Sequence, residues 1–109
     1  MRMLLHISIP VEAGNNAARA GAFGAPMEKM IAALKPECAY FTATESGERG
    51  GFVVFDLADT SQIPGIAEPF FHAFHAKLKF TPVMNAQDLA KAAPSIEKAV
   101  KEHGKAASA

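Results

Sequence analysis

Three side chains that can bind metal ions follow one another within a short segment: Glu68, His72 and His75. On a regular helix these positions share one face, and a carboxylate with two imidazoles is a recognisable ligand set for transition metals. A solvated helix face with Glu68 paired to His72 explains the same spacing, and Pro69 disturbs the helical regularity on which the alignment depends. We favour the solvated face, and we expect neither a metal nor a cofactor.

His6 and Tyr40 are the candidates for acid–base catalysis. An imidazole titrates near neutral pH, so His6 could move a proton on a bound ligand, and the Tyr40 hydroxyl could donate a hydrogen bond in the same space. Structural roles explain both residues as well. His6 would then be packed and hydrogen-bonded to Ser8 or Thr81, and Tyr40 would be a core or interface ring with a satisfied hydroxyl.

The other candidates, Cys38, the GERGG segment and Arg49, do not form a recognisable catalytic or phosphate-binding motif. Cys38 is the sole cysteine, and lone cysteines commonly behave as small buried hydrophobes. The GERGG segment lacks the Lys-Ser/Thr pair and the following helix of a phosphate loop. Arg49, within that segment, could reach an anionic ligand.

Length and charge exclude several classes of protein. A chain of 109 residues has room for one hydrophobic core, and its 11 basic residues balance its 11 acidic ones. Nothing in this balance attracts nucleic acid or an anionic membrane. The N-terminal apolar run is too short for a signal peptide or a spanning helix, so we expect a cytoplasmic protein with no nucleic-acid or membrane partner.

Hydrophobic periodicity predicts the elements that carry these residues. Period-2 alternation or β-branched and aromatic runs predict strands at residues 3–9, 38–44, 52–57 and 77–84, with a turn at 47–51 and Pro82 marking a sheet edge. Helical spacing predicts helices over 15–34, after caps at 59–61, and from about 86 to Gly104. Gly21, Gly24 and Pro26 are expected to weaken or kink the first half of the first helix. The result is an α+β, ferredoxin-like β-α-β-β-α-β domain over residues 1–103 with an antiparallel sheet and a C-terminal helix, and a flexible tail at 104–109.

The predicted sheet has two different faces, because strand residues two apart share a face. The apolar set, expected under the helices, is Met3, Leu5, Ile7, Ile9, Ala39, Phe41, Val53, Phe55, Leu57, Leu78, Phe80 and Met84. The mixed set, here called the open face, is Leu4, His6, Ser8, Tyr40, Thr42, Phe52, Val54, Asp56, Lys77, Lys79, Thr81 and Val83. Large apolar patches are rarely left in water, so we expect a second copy to cover the open face.

The strand order, the strand leading into TPVMNAQDLAK and the mixed second face resemble the dimeric α/β-barrel superfamily, which includes muconolactone-isomerase-like proteins and antibiotic-biosynthesis-type monooxygenases. The likeness covers residues 1 to 92, and the segments LKPECAYFTATESGERGGFVVFDL and IPGIAEPFFHAFHAKLKF resemble a branch near those two groups. It implies a homodimer with a ligand site inside the barrel or between the sheet and the helices. Such a fold hosts unrelated functions, so it implies no particular activity.

Three functions are compatible with these patterns. The first is a homodimeric barrel that binds a small, largely apolar molecule through His6, Tyr40, Phe52, Val54 and Thr81. The second is an enzyme of the isomerase or monooxygenase type that uses His6. The third is an interaction module in which the C-terminal helix docks on a partner.

Overall fold

An antiparallel sheet with helices packed against it forms the body of the protein. The computed structural model describes residues 1–108, with side chains for residues 1–105. Within those residues the strands are β1 (Arg2–Ile9), β2 (Cys38–Ala43), β3 (Arg49–Asp56) and β4 (Lys77–Pro82), in the order β2-β3-β1-β4. The five α-helices of the described residues are α1 (Val11–Arg19), α2 (Gly24–Ala32), α3 (Ile63–Phe74), α4 (Ala86–Lys91) and α5 (Ala93–Ser108), and a 3-10 turn at Thr60–Gln62 precedes α3.

The sheet confirms the predicted strands and their antiparallel pairing. Strand β1 lies between β3 and β4, and β4 forms one edge, as Pro82 predicted. The predicted hairpin joins β2 to β3, but its turn lies at residues 44–48 instead of 47–51, because Gly50 and Gly51 belong to β3. A Cβ on either glycine would collide with a backbone carbonyl of the adjacent strand, so only glycine fits there.

The single helix predicted over residues 15–34 is wrong, because the structure has two helices there. Helix α1 begins directly after Pro10, and Gly21 takes a left-handed conformation with φ of 69° just after α1 ends. Such a conformation is accessible to glycine at no steric cost and interrupts a right-handed helix. The chain then restarts as α2 at Gly24, so the apolar face is divided between two short helices.

The core lies between the sheet and α2 and α3. Most of the predicted apolar face is buried there, in the set Met3, Leu5, Ile7, Ile9, Val53, Phe55 and Leu57, and Phe70 and Phe74 of α3 pack onto it. Two predictions for this face are wrong, because Phe41 is 66% exposed and Met84 is 67% exposed. Phe41 lies on the edge strand β2, and Met84 follows the end of β4 at Pro82.

The C-terminal segment leaves the body of the protein as two helices. Asn85 caps α4 as predicted, with its side chain accepting from the Asp88 amide and Asp88 accepting from the Asn85 amide. Helix α5 has Pro94 in its first turn and continues to Ser108, past the predicted end at Gly104. Ala109, in the predicted tail, lies outside the described residues, and the tail's flexibility stays a prediction. In the described part of the chain, none of the helices has the length and apolarity needed to cross a membrane.

Candidate functional site

The structure brings the five predicted ligand-binding residues together on the open face. Cross-strand pairing places Tyr40, Phe52 and His6 in one row, with Lys79 at its end. The neighbouring row contains Cys38, Val54, Leu4 and Thr81. The two rows form an apolar band across the middle of the sheet.

His6 contacts an aromatic ring in this band. Its imidazole stacks on Phe52, with ring centroids 4.7 Å apart and an interplanar angle of 11°. The stacking on Phe52 is thus the contact that packs His6. Ser8, one of its two predicted hydrogen-bond partners, donates its hydroxyl to Glu48 instead. Tyr40, at the end of the row, is 69% exposed in the isolated chain, so its ring has no cover within one copy.

Polar side chains close one end of the band. The buried Ser8 donates a hydrogen bond of 2.8 Å to Glu48 Oε1, and its oxygen lies 3.1 Å from that of Thr44. Lys77 Nζ lies 3.5 Å from the same Glu48 oxygen. The hydrogen bond from Ser8, assisted by the charge of Lys77, lowers the pKa of Glu48. This end of the open face therefore has its charges and hydroxyls paired internally.

Arg2 closes the opposite end of the band. Its Nε donates to Glu37 Oε1 at 2.6 Å, and its Nη1 donates to Asp88 Oδ2 at 3.2 Å. The hydrogen bond and charge of Glu37 raise the pKa of Arg2. Because Asp88 belongs to α4, this ion pair ties the start of the C-terminal segment to the rim of the open face.

Glu68, His72 and His75, weighed above as possible metal ligands, do not form a metal-ligand group. Glu68 Oε2 lies 3.0 Å from His72 Nε2, and both side chains are exposed, which is the pairing predicted for a solvated face. His75 lies beyond the helix in a left-handed C-cap with φ of 51°. Among the described residues, no three potential ligand side chains are grouped closely enough to hold a metal ion.

A cavity of about 940 Å³ lies on the other side of the sheet, between α2 and strands β2 and β3. We call it the helix-side cavity. Its apolar walls include Phe23, Met27 and Ile31 from the helical side, and Ile7, Phe41 and Val53 from the sheet. Cavities of this size and lining are typical of small-molecule sites. Neither His6 nor Tyr40 lines it.

Small residues create this space. Gly51 has no side chain between Phe41 and Ile7 in its cross-strand row, and Ala39 and Ala43 flank Phe41 along β2. Helix α2 covers the gap with Gly24 at its beginning, where a Cβ would have no other atom within 4 Å. The space opens to solvent beside the exposed Phe41, so it is a deep apolar groove rather than a sealed void in the core.

Arg49 stands at the mouth of the helix-side cavity. Its Nη2 donates to Asn15 Oδ1 at 2.9 Å, and its Cζ lies 5.8 Å from the centroid of the Phe23 ring. A Cβ on Gly14 would come within 2.7 Å of Nη1, so the guanidinium lies directly over this glycine of α1. Three residues from two helical segments thus position the cation.

The family resemblance implied a site between the sheet and the helices as one of two places for a ligand, and Arg49 was named as able to reach an anion, but apolar lining residues such as Ile7 and Val53 were assigned to the packed core. The available signal was the run of small residues, since glycine inside a strand often marks a close backbone approach or a ligand. No protein-family model matches the chain, and no curated protein matches it either. The candidate sites therefore rest on their own geometry.

Proposed function

We propose that this protein binds a small, largely apolar organic molecule in the helix-side cavity. The observation that carries the proposal is the concave volume of about 940 Å³ beside Gly51, which is lined mainly by apolar residues of α2 and the sheet and opens to solvent on one side. Burying apolar ligand surface there is favourable by about 25 cal/mol per Å². A ligand would also cover part of Phe41, which one copy leaves exposed.

A pair of neighbouring residues provides the test, because Tyr40 and Phe41 are adjacent on β2 and face opposite sides of the sheet. The chain has no tryptophan, so Phe41→Trp would report only on the cavity and Tyr40→Trp only on the open face. Titration with 1-octanol should shift the emission of Phe41→Trp to shorter wavelength and leave Tyr40→Trp unchanged. Adding Ala43→Phe to the first variant should abolish the shift by filling the cavity.

The opposite response would contradict the choice of site. A shift confined to Tyr40→Trp would assign the ligand to the open face, where His6, Phe52, Val54 and Thr81 were predicted to bind it. No shift in either variant would contradict binding of an apolar molecule altogether. Thermal melting of each variant should stay within a few degrees of the parent, which controls for damage to the fold.

We further propose that a second copy covers the open face, as in a ferredoxin-like dimeric α/β barrel. The strand order β2-β3-β1-β4 and the helices on one face support this arrangement. The apolar band with Tyr40 and Phe52, bounded by the paired charges at Glu48 and Arg2, has the apolar centre and polar rim of a protein interface.

Helix α5 supports a role for the C-terminal segment in the same interface. Ile96 and Val100, one turn apart, are both more than half exposed, and an isolated helix of this length is marginal in water. From the distance between strands and the rise per residue, the open face has an area of only about 400 Å² per copy. A stable protein interface buries about 800 Å² per copy. We propose that α5 packs on the second copy and supplies much of the difference.

Light scattering of the full chain and of a variant ending at Asn85 tests this second proposal. The full chain should be a dimer at micromolar concentration, and the shortened chain should dissociate at a concentration at least tenfold higher. A monomeric full chain would contradict the dimer. A shortened chain that dimerises equally well would contradict the role of α5 and leave the open face as the whole interface.

A further inference from the structure

We propose that the ligand of the helix-side cavity is an amphipathic organic anion, with an apolar body inside the cavity and its charged head group on Arg49. This inference rests on the proposed function and adds the chemical class of the ligand. It depends on the position of the guanidinium and on the charges around it.

The guanidinium has unused hydrogen-bonding capacity. An arginine side chain offers five N–H donors, and in the part of the chain that the structure describes Arg49 places one hydrogen bond, on Asn15. No carboxylate among the described residues lies within 4 Å of it. The cation therefore keeps its positive charge and most of its donors at the edge of an apolar volume.

The contacts around Arg49 restrict where these donors can point. Asn15 is hydrogen-bonded to one nitrogen, the Phe23 ring lies beneath the guanidinium, and Gly14 gives it room on α1. A planar guanidinium held in this way is suited to a carboxylate or a similar oxyanion. Phe23 lines the cavity as well, so a head group on Arg49 would be continuous with an apolar body in the cavity.

Two carboxylates near the mouth of the cavity could repel an anion. Glu48 is hydrogen-bonded to Ser8 and paired with Lys77, both of which belong to the open face on the other side of the sheet. Glu28 lies on α2, which forms the opposite wall from the strand that carries Arg49. Both glutamates line the cavity, but the charge of Glu48 is paired with Lys77 and Glu28 lies on the wall opposite the strand that carries Arg49.

Calorimetric titration of the full-length protein with octanoate and its neutral analogue octanamide tests the proposal. Octanoate should bind about tenfold more tightly than octanamide, because the charged head forms charge-assisted hydrogen bonds with Arg49. In Arg49→Gln the ratio of the affinity for octanoate to the affinity for octanamide should fall to about one, and the affinity for octanamide should stay unchanged. Added salt should weaken octanoate binding and leave octanamide binding unaffected.

Gly14→Ala is the matched variant that retains the positive charge of Arg49 but displaces its guanidinium group. Its new Cβ would displace the flexible end of Arg49, while alanine is at least as good as glycine in α1. We expect it to lose part of the preference for octanoate while retaining octanamide binding. This separates the position of the guanidinium from its mere presence.

The outcomes distinguish this inference from the proposed function. If octanamide and octanoate bind equally, or if Arg49→Gln keeps the preference, the anionic head group is wrong and the apolar site stands. If neither compound binds the parent protein, both proposals are overturned. If octanoate binding persists in Ala43→Phe, the anion is held outside the cavity, and the inference is overturned as well.

Discussion

The two faces of the sheet each expose an aromatic residue of β2, yet they differ in shape. On the open face Tyr40 continues a flat row with Phe52 and His6, whereas on the other face Phe41 borders a hollow next to Gly51. Flat apolar surfaces are typical of protein interfaces, and concave ones bury most of a small molecule. One edge strand thus contributes to two kinds of surface.

The two faces also differ in how their charges are used. At the end of the open face, Glu48, Ser8 and Lys77 form internal hydrogen bonds and an ion pair. At the mouth of the cavity, Arg49 is positioned by a neutral amide and an aromatic ring. Internally paired charges form a rim, whereas Arg49, with no carboxylate within 4 Å among the described residues, is the group proposed to bind the ligand.

The largest expected effect compares two phenylalanines on the helix-side face. Phe55→Ala should lower the free energy of unfolding by about 3–5 kcal/mol, because Phe55 is 1% exposed and its removal leaves a void in the core. Phe41→Ala should cost less than about 1 kcal/mol, because Phe41 is 66% exposed and its ring loses little packing. Urea denaturation of the two variants measures both values. Equal costs would mean that Phe41 is buried and packed in solution.

The second prediction concerns the open face. Phe52→Lys should raise the dissociation constant of the proposed dimer at least about a hundredfold, on the order of 3 kcal/mol, because a charge would be buried in the apolar band. Sedimentation analysis at several concentrations measures this change.

Phe71→Lys is the control for the second prediction. Phe71 lies on α3 and is 43% exposed, close to the 39% of Phe52, but it belongs to the opposite side of the sheet. It should leave the association unchanged. If both variants dissociate the protein equally, the interface is not specific to the open face.

Much of the fold could be predicted because local patterns determine it. Alternation in β1 separated the two faces, Pro82 indicated the sheet edge, and Asn85 indicated the start of α4. The division between α1 and α2 was missed, because glycine is tolerated inside a helix and only the backbone conformation of Gly21 shows that the helix ends.

The helix-side cavity could not be predicted from periodicity. It depends on small residues from separate elements, Gly51, Ala39 and Gly24, lying beside one another in space. The position of Arg49 likewise depends on Gly14 and Asn15, which are more than thirty residues away along the chain. Alternation identifies which residues face the core, but it does not indicate whether they fill it.

The smallest expected effect concerns Glu48, whose pKa is lowered in the folded protein by its hydrogen bond from Ser8. A carboxylate with a lowered pKa stabilises the fold at pH values above its unfolded pKa, near 4.5, and this contribution disappears as the pH falls through the folded pKa. Glu48→Gln should therefore lower the melting temperature slightly at pH 7, and the difference should shrink below pH 4.5. Glu45→Gln on the same hairpin is the control and should leave the melting temperature at pH 7 unchanged. If the difference in melting temperature between Glu48→Gln and the parent stayed constant down to pH 3, the hydrogen bond from Ser8 would not be stabilising the ionised form of Glu48.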